Sequence, residues 1–318
     1  MRAVVTGGAG FIGSHLADAL LDRGDEVVVL DDLATGRVGN VPGGAELVEG
    51  DVADEATVAT TVAGADVVFH QAALGSVARS VAAPLASDAA NVRGTLTVLH
   101  AAHQAGVGRV VLASSSSVYG GATLVPTPES APLVPRSPYA VTKLAGEHYA
   151  RVSWELHGLE TVCLRYFNVF GPRQRPDSRY AAVVPLFIDA LLAGRPVQVH
   201  GDGRQCRDFT FVADAVQANL AAAAAPADRC AGRVFNVARG APSTVLDLVA
   251  VLGDLLGVAA TADHVAPRAG DVRSSHADIS AARRDLGFEP SVGFAEGLCR
   301  TLAWFRGRSR GLAAGATA

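Results

Sequence analysis

Hydrophobic residues in this 318-residue chain fall into short β-branched runs, separated by longer stretches where apolar positions recur every three or four residues. The runs at 2–6, 26–30, 46–49, 66–70, 109–114 and 161–166 have the length of strands. Their nearly unbroken apolar character suits strands covered on both faces. Between the first two, Leu16, Ala19 and Leu20 share one face of a helix that Gly24 ends. Strand and helix signals alternate in this way to about residue 170, which predicts an α/β fold with a doubly wound parallel sheet over 1–170. Gly, Pro and Arg punctuate 171–180, a loop expected to open a smaller mixed α/β lobe over 171–305. That lobe has short strands such as 197–199 and 234–237, and some of its segments are expected to return to the first domain. Ser243 is placed to cap a helix over 244–256. The Gly/Ala/Arg-rich tail 306–318 is expected to be disordered, and no internal repeat is found.

Composition narrows the function classes. A 49% hydrophobic content with 34 glycines suits a buried sheet with many tight turns. A net charge of −4 and a pI near 6.1 give no broad basic field for nucleic acid. The cysteines Cys163, Cys206, Cys230 and Cys299 are scattered without metal spacing, so no metal site is expected and a reducing compartment is. The first strand begins almost at Met1, leaving no room for a signal peptide, and no apolar run reaches ~18 residues. The expectation is a cytoplasmic protein without a membrane span.

Two constellations carry chemistry. In Thr6-Gly-Gly-Ala-Gly-Phe-Ile-Gly13 a strand enters a glycine cluster and a helix follows. Gly7, Gly10 and Gly13 let the backbone turn tightly and approach a pyrophosphate at the helix N-terminus. The second strand ends in Asp31-Asp32, where an acid would hold a ribose 2′-hydroxyl and repel a 2′-phosphate, favouring NAD over NADP. Arg37, nearby in sequence, points the other way. Downstream of Ser114–Ser117, Tyr139 and Lys143 lie four residues apart, one turn on the same helix face. A cation there favours the phenolate of a tyrosine whose ordinary pKa is ~10, giving an acid/base for a hydroxyl substrate. An exposed tyrosine and a surface lysine would fit the same spacing.

Taken with Gly50-Asp51-Val52, His70-Gln-Ala-Ala73, Asn91-Val-Arg-Gly-Thr95, Arg165-Tyr-Phe-Asn168, Gly171-Pro-Arg-Gln174, Arg207-Asp-Phe209 and Arg268-Ala-Gly-Asp271, these motifs resemble the NAD-dependent nucleotide-sugar epimerase/dehydratase family of extended short-chain dehydrogenases/reductases from residue 1 to about 305. The resemblance implies a Rossmann domain with bound NAD, held by Gly7, Gly10, Phe11, Ile12, Gly13, Asp31, Asp32, Asp51, Val52, Ala72, Ala73, Asn91, Tyr139, Lys143 and Tyr166. It implies Tyr139 as the acid/base, Lys143 beside it, Ser115 bonding the reacting oxygen and Ser116 assisting. It places a nucleotide sugar, expected to be a UDP-sugar, against Asn168, Arg207, Arg268 and Asp271, and it makes 221–225 a helix end. Dehydratases of the family carry Asp and Glu where this chain has Ser116 and Ser117, so 4-epimerisation is the expected reaction.

The sugar itself is less constrained. Ser275, a small residue, would leave room for an N-acetyl group, and Ala182 and Val183 match pocket positions of N-acetylhexosamine-type epimerases. Arg175 instead resembles a carboxylate reader of UDP-glucuronate 4-epimerases. The neutral sugars lead and the uronate is the alternative. An NADPH-consuming sugar reductase and a catalytically silent NAD-binding protein complete the field. The resemblance further implies a homodimer built on the helices near 92–106 and 139–157.

Overall fold

The computed structural model describes residues 1–121, 124–178, 181–267 and 272–315, the side chains beyond 307 excepted. The strands are β1 (Arg2–Thr6), β2 (Glu26–Asp31), β3 (Glu46–Glu49), β4 (Val67–His70), β5 (Arg109–Ser115), β6 (Glu160–Tyr166), β7 (Val169–Phe170), β8 (Val197–His200), β9 (Cys206–Arg207), β10 (Thr210–Phe211), β11 (Arg233–Val237), β12 (Ser243–Thr244), β13 (Ala262–Val265) and β14 (Ser274–Ser275). The helices are α1 (Phe11–Asp22), α2 (Glu55–Val62), α3 (Val77–Ala82), α4 (Pro84–Asp88), α5 (Gly94–Gln104), α6 (Pro138–His157), α7 (Val183–Leu192), α8 (Val212–Ala224), α9 (Ala227–Cys230), α10 (Val245–Leu256) and α11 (Phe294–Gly315).

Seven strands form a parallel sheet in the order β11-β6-β5-β4-β1-β2-β3. Successive side chains alternate faces. Val4, Val28, Val68 and Val110 stand in register on one face beneath α2, α5 and α6, while Val5, Val29, Phe69 and Val111 stand on the other against α1 and α8. Each such side chain contributes roughly 1.5–3 kcal/mol by leaving water, so both faces must be apolar; the sequence runs are unbroken for that reason. The chain leaves β1 toward β2 and β3, then returns past it to β4. This reversal opens a crevice at the carboxyl ends of β1 and β4, where ligands of such sheets bind.

A second core joins α7, α10 and α11 around Phe170, Phe209 and Phe211, with Phe170 edge-on to the other two at 6.2 and 5.7 Å. The strands around it, β7 to β10, are short. β11, the strand anticipated at 234–237, closes the edge of the main sheet instead, pairing β6 from Arg233↔Val162 to Val237↔Tyr166. The cap of α10 is Thr244 rather than Ser243: Thr244 and Asp247 form a reciprocal capping box, and Ser243 lies in β12. α8 ends within the alanine run, and α11 reaches into the stretch whose composition suggested disorder. No helix among the described residues is long and apolar enough to cross a membrane.

Candidate active site

A cleft of about 640 Å³ runs along the carboxyl ends of β2, β1, β4 and β5 and is covered by the segment after β7. Its floor is the glycine turn. A Cβ on Gly7 would stand 2.6 Å from the Ala72 backbone nitrogen, and one on Gly13 would strike the Gly7 carbonyl oxygen. With glycine, α1 starts flush against β1 and β4, and no side chain caps it. Its first N–H groups are open to an anion.

At the β2 end, the Asp31 carboxylate accepts N–H groups of Ala9 and Leu33, each at 2.9 Å. These bonds aim it into the cleft beside Asp32, and burial raises its pKa above the ordinary carboxylate value. Asp51 and Val52 line the next strand end, and Ala72 and Ala73 the loop after β4. A dinucleotide fits these residues: bare glycines and free helix N–H groups for its phosphates, and an acid placed for a ribose diol.

The reactive end lies where β5 meets α6. Tyr139, Lys143 and Ser115 all line the cleft, and the Ser115 side chain bears on the Tyr139 hydroxyl. Ser137 caps α6 by accepting from the Ala140 N–H, and Pro138 starts the first turn. Lys143 Nζ lies 6.0 Å from the centre of the Tyr139 ring and donates to the Ala113 carbonyl at 2.8 Å. Juxtaposition was expected, but its electrostatic result differs in this structure. Burial pushes the Tyr139 hydroxyl above its ordinary pKa, with Ser115 pulling the other way, and burial pushes Lys143 down to about 8. Desolvation disfavours both charges, so the ammonium does not lower the phenol of the resting site below its free value.

Several anticipated residues stand one step back. Asn91 is 2% exposed, outside the cleft lining, and sits in a π-turn at Ala89–Arg93. Its side chain accepts from Leu74 N at 2.8 Å and donates to Thr142 Oγ1 at 3.0 Å, fixing the loop after β4 against α6. Tyr166 lines the cleft and accepts from Asn219 Nδ2 at 2.7 Å while donating to Gln71 Oε1 at 3.1 Å. Ser116 does not line the cleft. Of the residues expected at the sugar, Asn168 and Ala182 line it; Val183, Arg207 and Ser275 do not. Ser275 pairs with Arg207 across β14 and β9, so those two form one patch. Arg268 and Asp271 lie outside the described residues.

Arg175 lines the cleft but faces its other end. It donates to the Thr35 carbonyl at 3.2 Å and to Asp177, whose carboxylate also pairs with Arg37 at 2.8 Å. Thr35 follows β2, three strands from β5, or roughly 14 Å at the usual strand spacing. Arg37, the feature that opposed NAD, is thereby engaged by a carboxylate. Arg79, Gln174 and Ser178 also line the cleft and were not foreseen. They lie in short segments without periodicity, where sequence offers no register to say which way a side chain points.

Residues 3–238 match the sequence profile of the NAD dependent epimerase/dehydratase family. A UDP-glucose 4-epimerase of Mycolicibacterium smegmatis is 41% identical over 317 residues, covering 98% of this chain and 100% of that protein. A dTDP-glucose 4,6-dehydratase of Actinoplanes sp. is 37% identical, covering 96% and 98%. Among solved structures, the UDP-N-acetylglucosamine 4-epimerase of Methanobrevibacter ruminantium, in complex with UDP-N-acetylmuramic acid, superposes with a TM-score of 0.92 at 38% identity, covering 96% and 98%.

Proposed function

The chain belongs to the NAD-dependent epimerase/dehydratase family, and from that membership we propose that it is a UDP-sugar 4-epimerase acting on UDP-GlcNAc/UDP-GalNAc and UDP-Glc/UDP-Gal. One observation carries the choice between epimerase and dehydratase, both of which stand among its relatives. The carboxylates lining the cleft among the described residues are Asp31, Asp32 and Asp51, all at the ends of β2 and β3. None stands beside Tyr139, where eliminating water needs an acid and a base. The dehydratase positions are Ser116 and Ser117, and a serine hydroxyl cannot do a carboxylate's proton work.

What the site does hold is sufficient for epimerisation. Bound NAD supplies a hydride acceptor at sugar C4 that later gives back what it took. Tyr139 takes the proton of the 4-hydroxyl, Ser115 bonds the same oxygen, and the 4-keto sugar then turns over in the site. Tyr139 returns the proton, so the protein holds geometry and proton traffic while the net redox change is zero. Ala182 in the cleft wall supports room for an N-acetyl group, while the carrier assignment rests on the Arg207 motif, which stands with Ser275 outside that lining.

The uronate reading rests on Arg175, and the contacts of that side chain with Asp177 and Thr35 at the β2 end favour the neutral sugars. Val141, Tyr149, Val152 and Leu156 form an exposed apolar stripe on α6, which supports a second copy of the chain as partner. Parallel assays with UDP-GlcNAc, UDP-glucose and UDP-glucuronate, resolving C4 epimers by NMR, test the proposal. Conversion of UDP-glucuronate alone would overturn the substrate choice, and a product lacking the elements of water would overturn the reaction.

A further inference from the structure

Lys143 is the single lysine of the chain. One turn beyond it α6 carries Glu147, so Tyr139, Lys143 and Glu147 form one stripe at four-residue spacing. Glu147 is 6% exposed and is held from two strands. Arg165 of β6 donates Nε to Oε1 at 2.8 Å and Nη2 to Oε2 at 2.7 Å, and Ser114 of β5 donates its hydroxyl to Oε1. Arg165 is anchored in turn, donating Nη1 to the Tyr119 hydroxyl at 2.8 Å, and Tyr119 donates to Asn236 at 2.7 Å. Buried ion pairs of this kind are poor stabilisers, because desolvation offsets most of their attraction. The neighbours of the anchoring residues point to a different use. Ser114 precedes Ser115, Arg165 precedes Tyr166, and Glu147 stands one turn from Lys143.

We propose that Glu147 is a positioning residue of the reaction: clamped by Arg165 and Ser114, its carboxylate ties α6 to the strand ends that carry Ser115 and Tyr166 and supplies a counter-charge one helical turn from Lys143, whose ammonium is itself held by the Ala113 carbonyl. The inference rests on the reading above in which Tyr139, Ser115 and Lys143 manage the proton. The groups that bear on the ammonium are Tyr139 and Glu147 from α6, Cys163 from β6 and His70 from β4, with Arg165 behind Glu147. Burial pushes Lys143 down to about 8, while Cys163 and Glu147 act upward. Burial also pushes the Cys163 thiol up and His70 down to about 3, so both are uncharged where Lys143 titrates. Among these groups the carboxylate is that of Glu147, paired with Arg165 at 2.7 Å. Without it, the ammonium fades toward neutral pH.

A sole lysine makes this directly measurable. Protein grown on ¹³C-lysine carries one lysine Cε resonance, and its shift follows the protonation of Lys143. In Glu147→Gln the midpoint is expected to fall by about one unit. The kcat should drop about twofold at pH 7 and approach tenfold by about pH 9, with little loss in mild acid and KM for UDP-glucose changed by less than about twofold. An unmoved midpoint would overturn the proposal. Glu147→Gln leaves Arg165 without its partner and risks the fold, so Ser114→Ala is the second variant, since it keeps the ion pair. There the expectation is an unmoved midpoint, native circular dichroism and a kcat reduced several-fold, and a wild-type kcat would overturn the tie to β5. The lysine titration needs no turnover. A wild-type protein that titrates near 8 yet converts no UDP-sugar would contradict the proposed function and leave this inference standing.

Discussion

Replacing Lys143 by methionine should lower activity and change how stability depends on pH. Its ammonium lies 6.0 Å from the Tyr139 ring centre. At an effective dielectric constant of ~20, unit charges at that separation attract by roughly 3 kcal/mol. That corresponds to about two pKa units of phenolate stabilisation, or a hundredfold in its population. We expect kcat to fall ~100-fold near neutral pH, with KM for the UDP-sugar little changed. Stability follows from the same burial. Lys143 drops from the ordinary 10.5 to about 8, so in that interval the unfolded chain binds the proton and the folded chain does not. The wild type therefore becomes more stable as pH rises from about 8 to 10.5, whereas below 8 it carries the full cost of a buried charge. The variant lacks this dependence. Urea melts of both proteins should show the wild type gaining about 3 kcal/mol on Lys143→Met between neutral pH and the top of that interval. A stability difference flat with pH, or a kcat within about tenfold of wild type, would refute the reasoning.

Three further outcomes are expected. Gly13→Ala forces its Cβ against the Gly7 carbonyl, so the purified variant should lose NAD, read as the nucleotide released on denaturation, while β2 and β4 keep their place. Ala182→Tyr should suppress turnover of UDP-GlcNAc by about tenfold or more relative to UDP-glucose, read as the ratio of their kcat/KM values, because Ala182 lines the cleft and a large ring there fills the space proposed for the N-acetyl group. Tyr139→Phe should retain bound NAD and lose epimerisation by at least about a hundredfold, since proton transfer by a placed side chain contributes that much or more.

Most of the parallel sheet was legible because its residues are constrained on both faces. A strand between two layers of helices has no choice but continuous apolar sequence, and the glycine turn has no substitute where a Cβ meets a carbonyl. The Tyr139–Lys143 pair was legible because helical spacing alone sets it on one face. What sequence spacing could not supply was the medium around that pair, and burial reverses the expected direction for the phenol. Glu147 was within reach, since the four-residue stripe simply continues, but its anchors Ser114 and Arg165 come from strands that only the fold brings together. Ser243 and Thr244 are equally good caps in isolation, and Asp247 decides between them by its reach back to the Thr244 N–H. Arg175 was ambiguous for a related reason: a guanidinium on a loop takes its partner from the nearest carboxylate, here Asp177.

The central claim is that C4 of the sugar loses its hydrogen and regains the same one on the opposite face. The direct test is to give the purified protein, without added cofactor, UDP-glucose deuterated at C4 and to follow the product by NMR and mass spectrometry. The account predicts UDP-galactose that keeps its deuterium at C4, in water as in any other solvent, and no such product from Tyr139→Phe. Loss of the label to water would mean that C4 is deprotonated rather than oxidised, and the proposed mechanism would be wrong.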